Sequence, residues 1–98
     1  MICHLVFYRM KQGTREGDAD RLIQEARLRL PKVPGVRNLK AGKSLGGLDN
    51  VYAAALAMDF EDAAALEAYR VNPDHQKFVK EIAEPLVDEV WRYDFQWK

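Results

Sequence analysis

The sequence is poor in the features that mark several protein classes. It has a single cysteine, Cys3, among 98 residues. An intrachain disulfide is therefore excluded, and a lone cysteine fits a reducing compartment, so we expect a cytoplasmic protein. No apolar run approaches the ~20 residues that a membrane-spanning helix needs. His4, Arg9 and Lys11 interrupt the N-terminal apolar stretch, which is unlike a signal peptide. We expect no membrane partner.

The chain also lacks an excess of charge of either sign. Fifteen Lys and Arg residues balance fifteen Asp and Glu residues. Nucleic-acid-binding domains usually carry a basic excess, so we expect no nucleic-acid partner. The balance conceals an asymmetry, because residues 1–49 carry ten basic and five acidic residues, and residues 50–98 carry five and ten. Two readings stay open: complementary packing of the halves, or steering of an acidic ligand toward the first half.

Motifs for metals and phosphates are absent as well. Two histidines and one cysteine provide no zinc-binding spacing. Gly42-Lys43-Ser44 resembles the end of a phosphate-binding loop, but Arg37 stands where that motif needs a glycine. We therefore expect no metal and no cofactor.

Hydrophobic patterning predicts one α+β domain over residues 1–98. The order is β-α-β-β-α-α-β, which is a ferredoxin-like arrangement with an antiparallel four-stranded sheet and helices on one face. In the third helix, Asn72 is the predicted N-cap and Pro73 the first helical residue. The predicted strands are 2–8, 36–41, 51–60 and 87–97, and the predicted helices start at Asp18, Glu61 and Asn72.

The predicted sheet has an apolar face that the helices cannot cover. We expect Ile2, Val6 and Tyr8 to face away from the helices, together with the small residues of the third strand. The chain has no second sheet to cover them, and large apolar patches are rarely left in water. A second copy is the commonest cover, so the pattern predicts a homodimer that forms a dimeric α/β barrel.

His75 and Tyr69 are the candidate catalytic residues. His75 lies in the first turn of the third helix, where the helix N-terminus disfavours an imidazolium and keeps the ring able to accept a proton. Tyr69 could donate a hydrogen bond to a carbonyl or a developing enolate. Each residue also has a structural interpretation, in which His75 bonds to a backbone carbonyl and Tyr69 packs the end of its helix.

Both side chains can converge on one cavity, because the helix break at Asn72-Pro73 lets the chain fold back. We expect this cavity between sheet and helices, floored by the small face of the third strand, with His4 reaching in from the first strand. The predicted ligand-binding residues are His4, Val6, Tyr8, Ala53, Ala55 and Phe78. For His4, which we expect on the same strand face as Val6 and Tyr8, a cross-sheet hydrogen bond is the alternative role.

Several stretches together resemble one protein family. They are His4 in the first strand, Val33–Val36 before Gly42-Lys43, Phe60–Asp62, Tyr69–His75 and an aromatic closing strand. In this order and spacing, the whole chain resembles the stress-responsive dimeric α/β-barrel (Dabb) domain family. The resemblance implies a dimeric barrel, stress-associated or of unassigned activity, that binds a small, largely apolar or carbonyl-bearing molecule in its cavity.

The resemblance also implies two alternatives, and whether the chain is an enzyme stays open. In the related olivetolic acid cyclase, a plant enzyme that closes a polyketide thioester, the catalytic Tyr and His match Tyr69 and His75, and a pocket histidine matches His4. One alternative is thus a cofactor-independent cyclase or isomerase with His75 as base and Tyr69 as donor. The other is a cofactor-free monooxygenase of the related barrel superfamily. Where many relatives read His-Pro-x-His, this chain has Asn72, which keeps the N-cap role but removes an imidazole.

Overall fold

A computed structural model describes residues 1–98 as one four-stranded antiparallel sheet with helices on one face. The elements are β1 (Ile2–Met10), α1 (Glu16–Arg29), β2 (Arg37–Lys43), β3 (Ala54–Phe60), α2 (Ala63–Val71), α3 (Pro73–Phe78), the π-helical segment (Val79–Ala83), α4 (Glu84–Leu86) and β4 (Val87–Gln96), with 3-10 turns at Leu30–Lys32 and Gly47–Asp49. The strand order in the sheet is β2-β3-β1-β4, and the π-helical segment joins α3 to α4. The predicted element order and ferredoxin-like α+β fold are confirmed.

Side-chain caps determine where the helices begin. The Asn72 side chain accepts a hydrogen bond from the Asp74 backbone N–H at 2.8 Å, as predicted for the start of α3. The start of α1 differs from the prediction. Asp18 is the third residue of α1 and accepts a hydrogen bond from the Arg15 backbone N–H at 3.1 Å, so the helix begins earlier, at Glu16.

The third strand is shorter than predicted. It begins at Ala54 rather than at residue 51. The backbone N–H of Tyr52 donates instead to the Asn50 side chain at 3.0 Å, which turns this stretch back on itself before the strand pairing starts. Ala53 consequently lies outside the sheet ladder.

The structure corrects the predicted facing of β1. Val6 and Tyr8 are each 5% exposed and belong to the core between sheet and helices, not to the opposite face. The register pairs Val6 with Leu56, so the large side chains of β3 share this core. The prediction was wrong because β1 is apolar on both faces, and alternation alone does not identify the face that the helices cover.

The opposite face of the sheet, which we term the outer face, is uncovered in the single chain. Trp91 and Tyr93 on it are 56% and 63% exposed. Leu5 pairs with Tyr93, and Phe7 pairs with Trp91, so apolar side chains of the two strands lie side by side. The outer face comprises Leu5, Phe7, Ala55, Ala57, Trp91, Tyr93 and Phe95.

None of the helices combines the length and the apolar composition that crossing a membrane requires.

Candidate active site

The break between α2 and α3 brings Tyr69 and His75 together. Tyr69 lies in the last turns of α2, and His75 lies in the first turn of α3. Asn72 between them has an extended backbone, so the second helix folds back over the end of the first. The centroids of the Tyr69 and His75 rings are 4.0 Å apart, with 30° between the ring planes.

The backbone of α2 fixes the tautomer of His75. Its Nδ1 lies 3.3 Å from the carbonyl oxygen of Arg70. That carbonyl is among the last four of α2, which have no partner within the helix. A carbonyl oxygen can only accept a hydrogen bond, so Nδ1 carries the hydrogen. In the neutral ring, Nε2 is then the unprotonated nitrogen and is able to accept a proton.

The surroundings of His75 keep its ring neutral. Burial lowers the pKa of His75 below its ordinary value, and the nearby His4 and Arg92 lower this pKa further. The hydrogen bond to the Arg70 carbonyl acts in the opposite direction but does not reverse the effect. His75 is therefore a base, not a cation, at neutral pH.

Tyr8 and Tyr69 lie near His75, and their hydroxyl groups are protonated and can donate hydrogen bonds. Tyr69 is 2% exposed, and burial raises the pKa of Tyr69 and of Tyr8 well above the ordinary value. The hydroxyl of Tyr52 donates a hydrogen bond to Glu89 at 3.1 Å, whereas those of Tyr8 and Tyr69 have no hydrogen-bond partner within the chain. The hydroxyls of Tyr8 and Tyr69 are thus available to a ligand.

His4 is held by an aspartate from the neighbouring strand. His4 is 4% exposed, and the β1–β4 register places it opposite Asp94. Its Nδ1 hydrogen-bonds to the Asp94 carboxylate, whose other oxygen lies 3.8 Å from the guanidinium of Arg70. Since a carboxylate is an acceptor, Nδ1 is the donor and Asp94 orients the imidazole.

These side chains surround one inner pocket between the sheet and the helices. Its lining includes His4, Val6, Tyr8, Tyr69 and His75, which were all predicted to belong to one site. The pocket has a volume of about 50 Å³, which is room for a group of about three or four heavy atoms. It can therefore enclose the reacting end of a molecule but not a whole larger ligand.

A wider groove continues from the inner pocket along α3 and the π-helical segment. It has a volume of about 740 Å³. Arg70, His75, Val79 and Arg92 line both the inner pocket and this outer groove, so the two are continuous. A ligand can place its reacting group beside Tyr69 and extend into the outer groove.

Three predicted ligand-binding residues lie elsewhere, and the predicted floor of the cavity is corrected. Ala55 lies on the outer face, because it pairs with Phe7 and points away from the helices. Ala53 precedes β3 and borders a separate depression beside the turn at 11–14. Phe78 is 1% exposed and packs into the helix–sheet core.

Sequence reasoning missed the charged side chains of the site. Arg92 and Asp94 alternate with Trp91 and Tyr93, and this alternation was visible in the sequence. The alternation showed that Arg92 and Asp94 occupy the non-aromatic face of β4. It did not show which face of the sheet that is, because this depends on the β1–β4 register, which places Arg92 beside Val6 on the pocket side.

Comparison with known proteins gives the same fold. Residues 2–97 match the family model described as Stress responsive A/B Barrel Domain, or Dabb. A Dabb family protein with a ferredoxin-like fold from Mesorhizobium loti is 25% identical, with a TM-score of 0.82 over 99% of this chain and 96% of that chain. A dimeric ferredoxin-like protein of unknown function from Thermobifida fusca is 21% identical, with a TM-score of 0.83 over 98% of this chain and 90% of that chain.

An enzyme is also among the similar structures. The hydroxynitrile lyase from Passiflora edulis is 20% identical, with a TM-score of 0.78 over 96% of this chain and 90% of that chain. At this identity the similarity establishes the shared fold. The sequence matches none of the curated proteins with which it was compared.

Proposed function

Because the chain belongs to the stress responsive A/B barrel domain family, we propose that it is a homodimer whose inner pocket binds a small carbonyl compound and moves a proton on it without a cofactor. The observation that carries the proposal is that the rings of His75 and Tyr69 lie 4.0 Å apart in one pocket. His75 stacks on Tyr69 with its Nε2 unprotonated, and both line one pocket.

The geometry supports proton abstraction next to a carbonyl. The Tyr69 hydroxyl donates a hydrogen bond to the carbonyl oxygen, and His75 Nε2 removes a proton from the adjacent carbon. The electron pair of the broken C–H bond forms the enolate, whose oxygen Tyr69 stabilises. In an enolate conjugated with a neighbouring C=C bond, return of the proton from His75 to the far carbon gives isomerisation. Attack of the enolate carbon on a second carbonyl of the same molecule, with the proton passing from His75 to the new alkoxide, gives cyclisation.

Binding without chemistry is the second candidate. Val6, Val79 and Val90 give the inner pocket an apolar wall, which favours a small, largely apolar ligand whether or not it reacts. The monooxygenase alternative stays a prediction, since no feature of the pocket bears on oxygen activation.

The homodimer rests on the outer face. Its large apolar side chains, among them Trp91 and Tyr93, are more than half exposed in the single chain. A second copy related by a two-fold axis would bury the same surface on both protomers. The similar protein from Thermobifida fusca is described as dimeric.

Deuterium exchange tests the proposed chemistry without knowledge of the natural substrate. Small ketones such as acetophenone and butanone are incubated with the protein in D₂O, and loss of the protons next to the carbonyl is followed by NMR. The wild-type chain should accelerate exchange over buffer. His75→Gln should remove about 10²–10⁴-fold of that acceleration, and Tyr69→Phe should also reduce it. Tyr52→Phe is the matched control and should not change the rate.

The result also separates the two candidates. If a ketone shifts the His75 and Tyr69 resonances but its exchange is not accelerated, the protein binds the ligand without chemistry, and proton transfer is excluded. Exchange that persists in His75→Gln would remove this residue as the base.

A further inference from the structure

The outer groove concentrates positive charge. Residues 50–98 carry only five basic residues against ten acidic ones. Four of these five, Arg70, Lys77, Lys80 and Arg92, line the outer groove, and Glu84 is the acidic residue among its lining. The acidic half of the chain therefore places almost all of its cations at the mouth of the inner pocket.

Most of these cations have no anionic partner in the chain. Arg70 lies 3.8 Å from Asp94, whereas no carboxylate lies within 4.0 Å of the charged nitrogens of Lys77, Lys80 or Arg92. Elsewhere in the chain, Arg9, Arg29, Arg37 and Lys43 have a carboxylate partner and the other seven Lys and Arg residues have none, so what distinguishes the groove is the concentration of its cations on one concave surface. Unpaired cations that line one concave surface create a positive potential that attracts anions.

Arg92 has the position that links the groove to the pocket. It lies opposite Val6 in the sheet register, on the pocket side, and lines both the inner pocket and the outer groove. Its charge is close enough to offset part of the rise that burial causes in the pKa of Tyr8 and of Tyr69, and to add to the lowering of the pKa of His75. A guanidinium in this place can form two parallel hydrogen bonds to a carboxylate or a phosphate.

We propose that the outer groove binds an anionic group of the ligand, a carboxylate or a phosphate, with Arg92 as its main contact. This inference rests on the proposed function, because it takes the carbonyl end of the ligand to occupy the inner pocket. The substrate class is then a carbonyl compound that carries an anionic substituent. The inner pocket admits only about three or four heavy atoms, so the charged part must lie in the groove.

Matched probes test this substrate class on the full chain. Acetophenone, 4-acetylbenzoate and 4-acetylphenyl phosphate share a methyl ketone and differ in charge. Their dissociation constants are measured by NMR chemical-shift titration with wild type, Arg92→Gln and Lys98→Gln. We expect the charged probes to bind wild type about tenfold or more tightly than acetophenone, as charge-assisted hydrogen bonds allow. Arg92→Gln should lose most of this preference.

The control is the fifth cation of the second half, Lys98, which does not line the groove. Lys98→Gln should keep the full preference for the charged probes. The ranking of carboxylate and phosphate identifies which anionic group the groove prefers. If Arg92→Gln fails to give a folded spectrum, Lys80→Gln replaces it, with a smaller expected loss.

Inorganic pyrophosphate separates this inference from the proposed function, because it has no carbonyl group. It should shift the side-chain resonance of Arg92, and absence of that shift would overturn the anion site. Equal affinity for charged and neutral ketones would also overturn it and would leave the proposed function intact. Charged probes that shift Arg92 but not His75 or Tyr69 would support the anion site and would count against the carbonyl pocket.

Discussion

At His75, a structural role and the proposed chemical role coincide. The Nδ1 hydrogen completes the hydrogen bonding of the Arg70 carbonyl at the end of α2, and the same bond selects Nε2 as the proton acceptor. The two interpretations that the sequence leaves open are therefore compatible. A histidine that caps a helix end is also a correctly oriented base, provided that its second nitrogen stays free.

The pKa of His75 is directly measurable. We expect NMR titration to give a value below about 6.5, the ordinary pKa of histidine, because burial and Arg92 disfavour the charged ring. Arg92→Gln should raise the pKa of His75, since it removes a positive charge, and Lys98→Gln should leave it unchanged. A wild-type pKa above 6.5 would contradict the neutral base.

The lowered pKa of His75 also makes the stability of the folded chain decrease as the pH falls. Between the lowered pKa of folded His75 and the ordinary pKa, the unfolded chain binds more protons than the folded chain. The contribution of His75 to the free energy of unfolding is thus present above about pH 6.5 and is lost as the pH falls through the folded pKa. Melting temperatures from pH 7.5 to 5 should fall less steeply in His75→Gln than in wild type.

Asp94 marks the limit of prediction at this scale. The sequence identifies His75 and Tyr69 because they are close along the chain and flank a readable helix break. His4 and Asp94 are 90 positions apart, and only the strand register pairs them. A one-residue difference in that register would place Asp94 on the other side of the sheet, and the sequence does not fix the register.

At the scale of elements, the break between α2 and α3 builds the site. Asn72 caps α3 while its extended backbone ends α2, and Pro73 suits the first helical position because its missing N–H is not needed there. These local signals are strong in the sequence, and the predicted helix start is confirmed. The π-helical segment at Val79–Ala83 was not predicted. Pro85 just beyond it lacks the N–H that a regular helix would use.

Replacing the cap should weaken this element measurably. Asn72→Ala removes the acceptor for the Asp74 N–H, and we expect a loss of about 1 kcal/mol in the free energy of unfolding. Asn72→Asp is the matched control, because an aspartate keeps an N-cap acceptor and should retain stability. Chemical denaturation of the three proteins measures the difference. Equal stability of Asn72→Ala and wild type would show that the cap does not hold α3.

At the scale of the whole molecule, the sequence predicts the order of the elements better than it predicts which face of the sheet the helices cover. The order of strands and helices follows from periodicity and turn residues, and it is confirmed. The assignment of Val6 and Tyr8 to the uncovered face was wrong, because both faces of β1 are apolar. Phe7 and Leu5 lie on the outer face instead.

The homodimer can be tested on that corrected face. Wild type should have roughly twice the protomer mass of 11.3 kDa in light scattering or sedimentation. Phe7→Lys should dissociate it, because an unpaired buried charge costs several kcal/mol, and the protomer should stay folded. Leu28→Lys, at an exposed apolar residue of α1, is the control and should remain dimeric. A monomeric wild type would contradict the dimeric barrel.

The alternation of β1 has a consequence for how this protein can change over evolutionary time. Even positions such as His4 and Val6 line the pocket, while odd positions such as Leu5 and Phe7 form the outer face. In the proposed ligand-binding dimer, point substitutions at even positions can alter ligand choice with little effect on association, and those at odd positions can alter association with little effect on the ligand. An insertion or deletion of one residue within β1 would exchange the two sets and damage both properties at once. Lineages of this chain should therefore vary β1 by substitution and preserve its length.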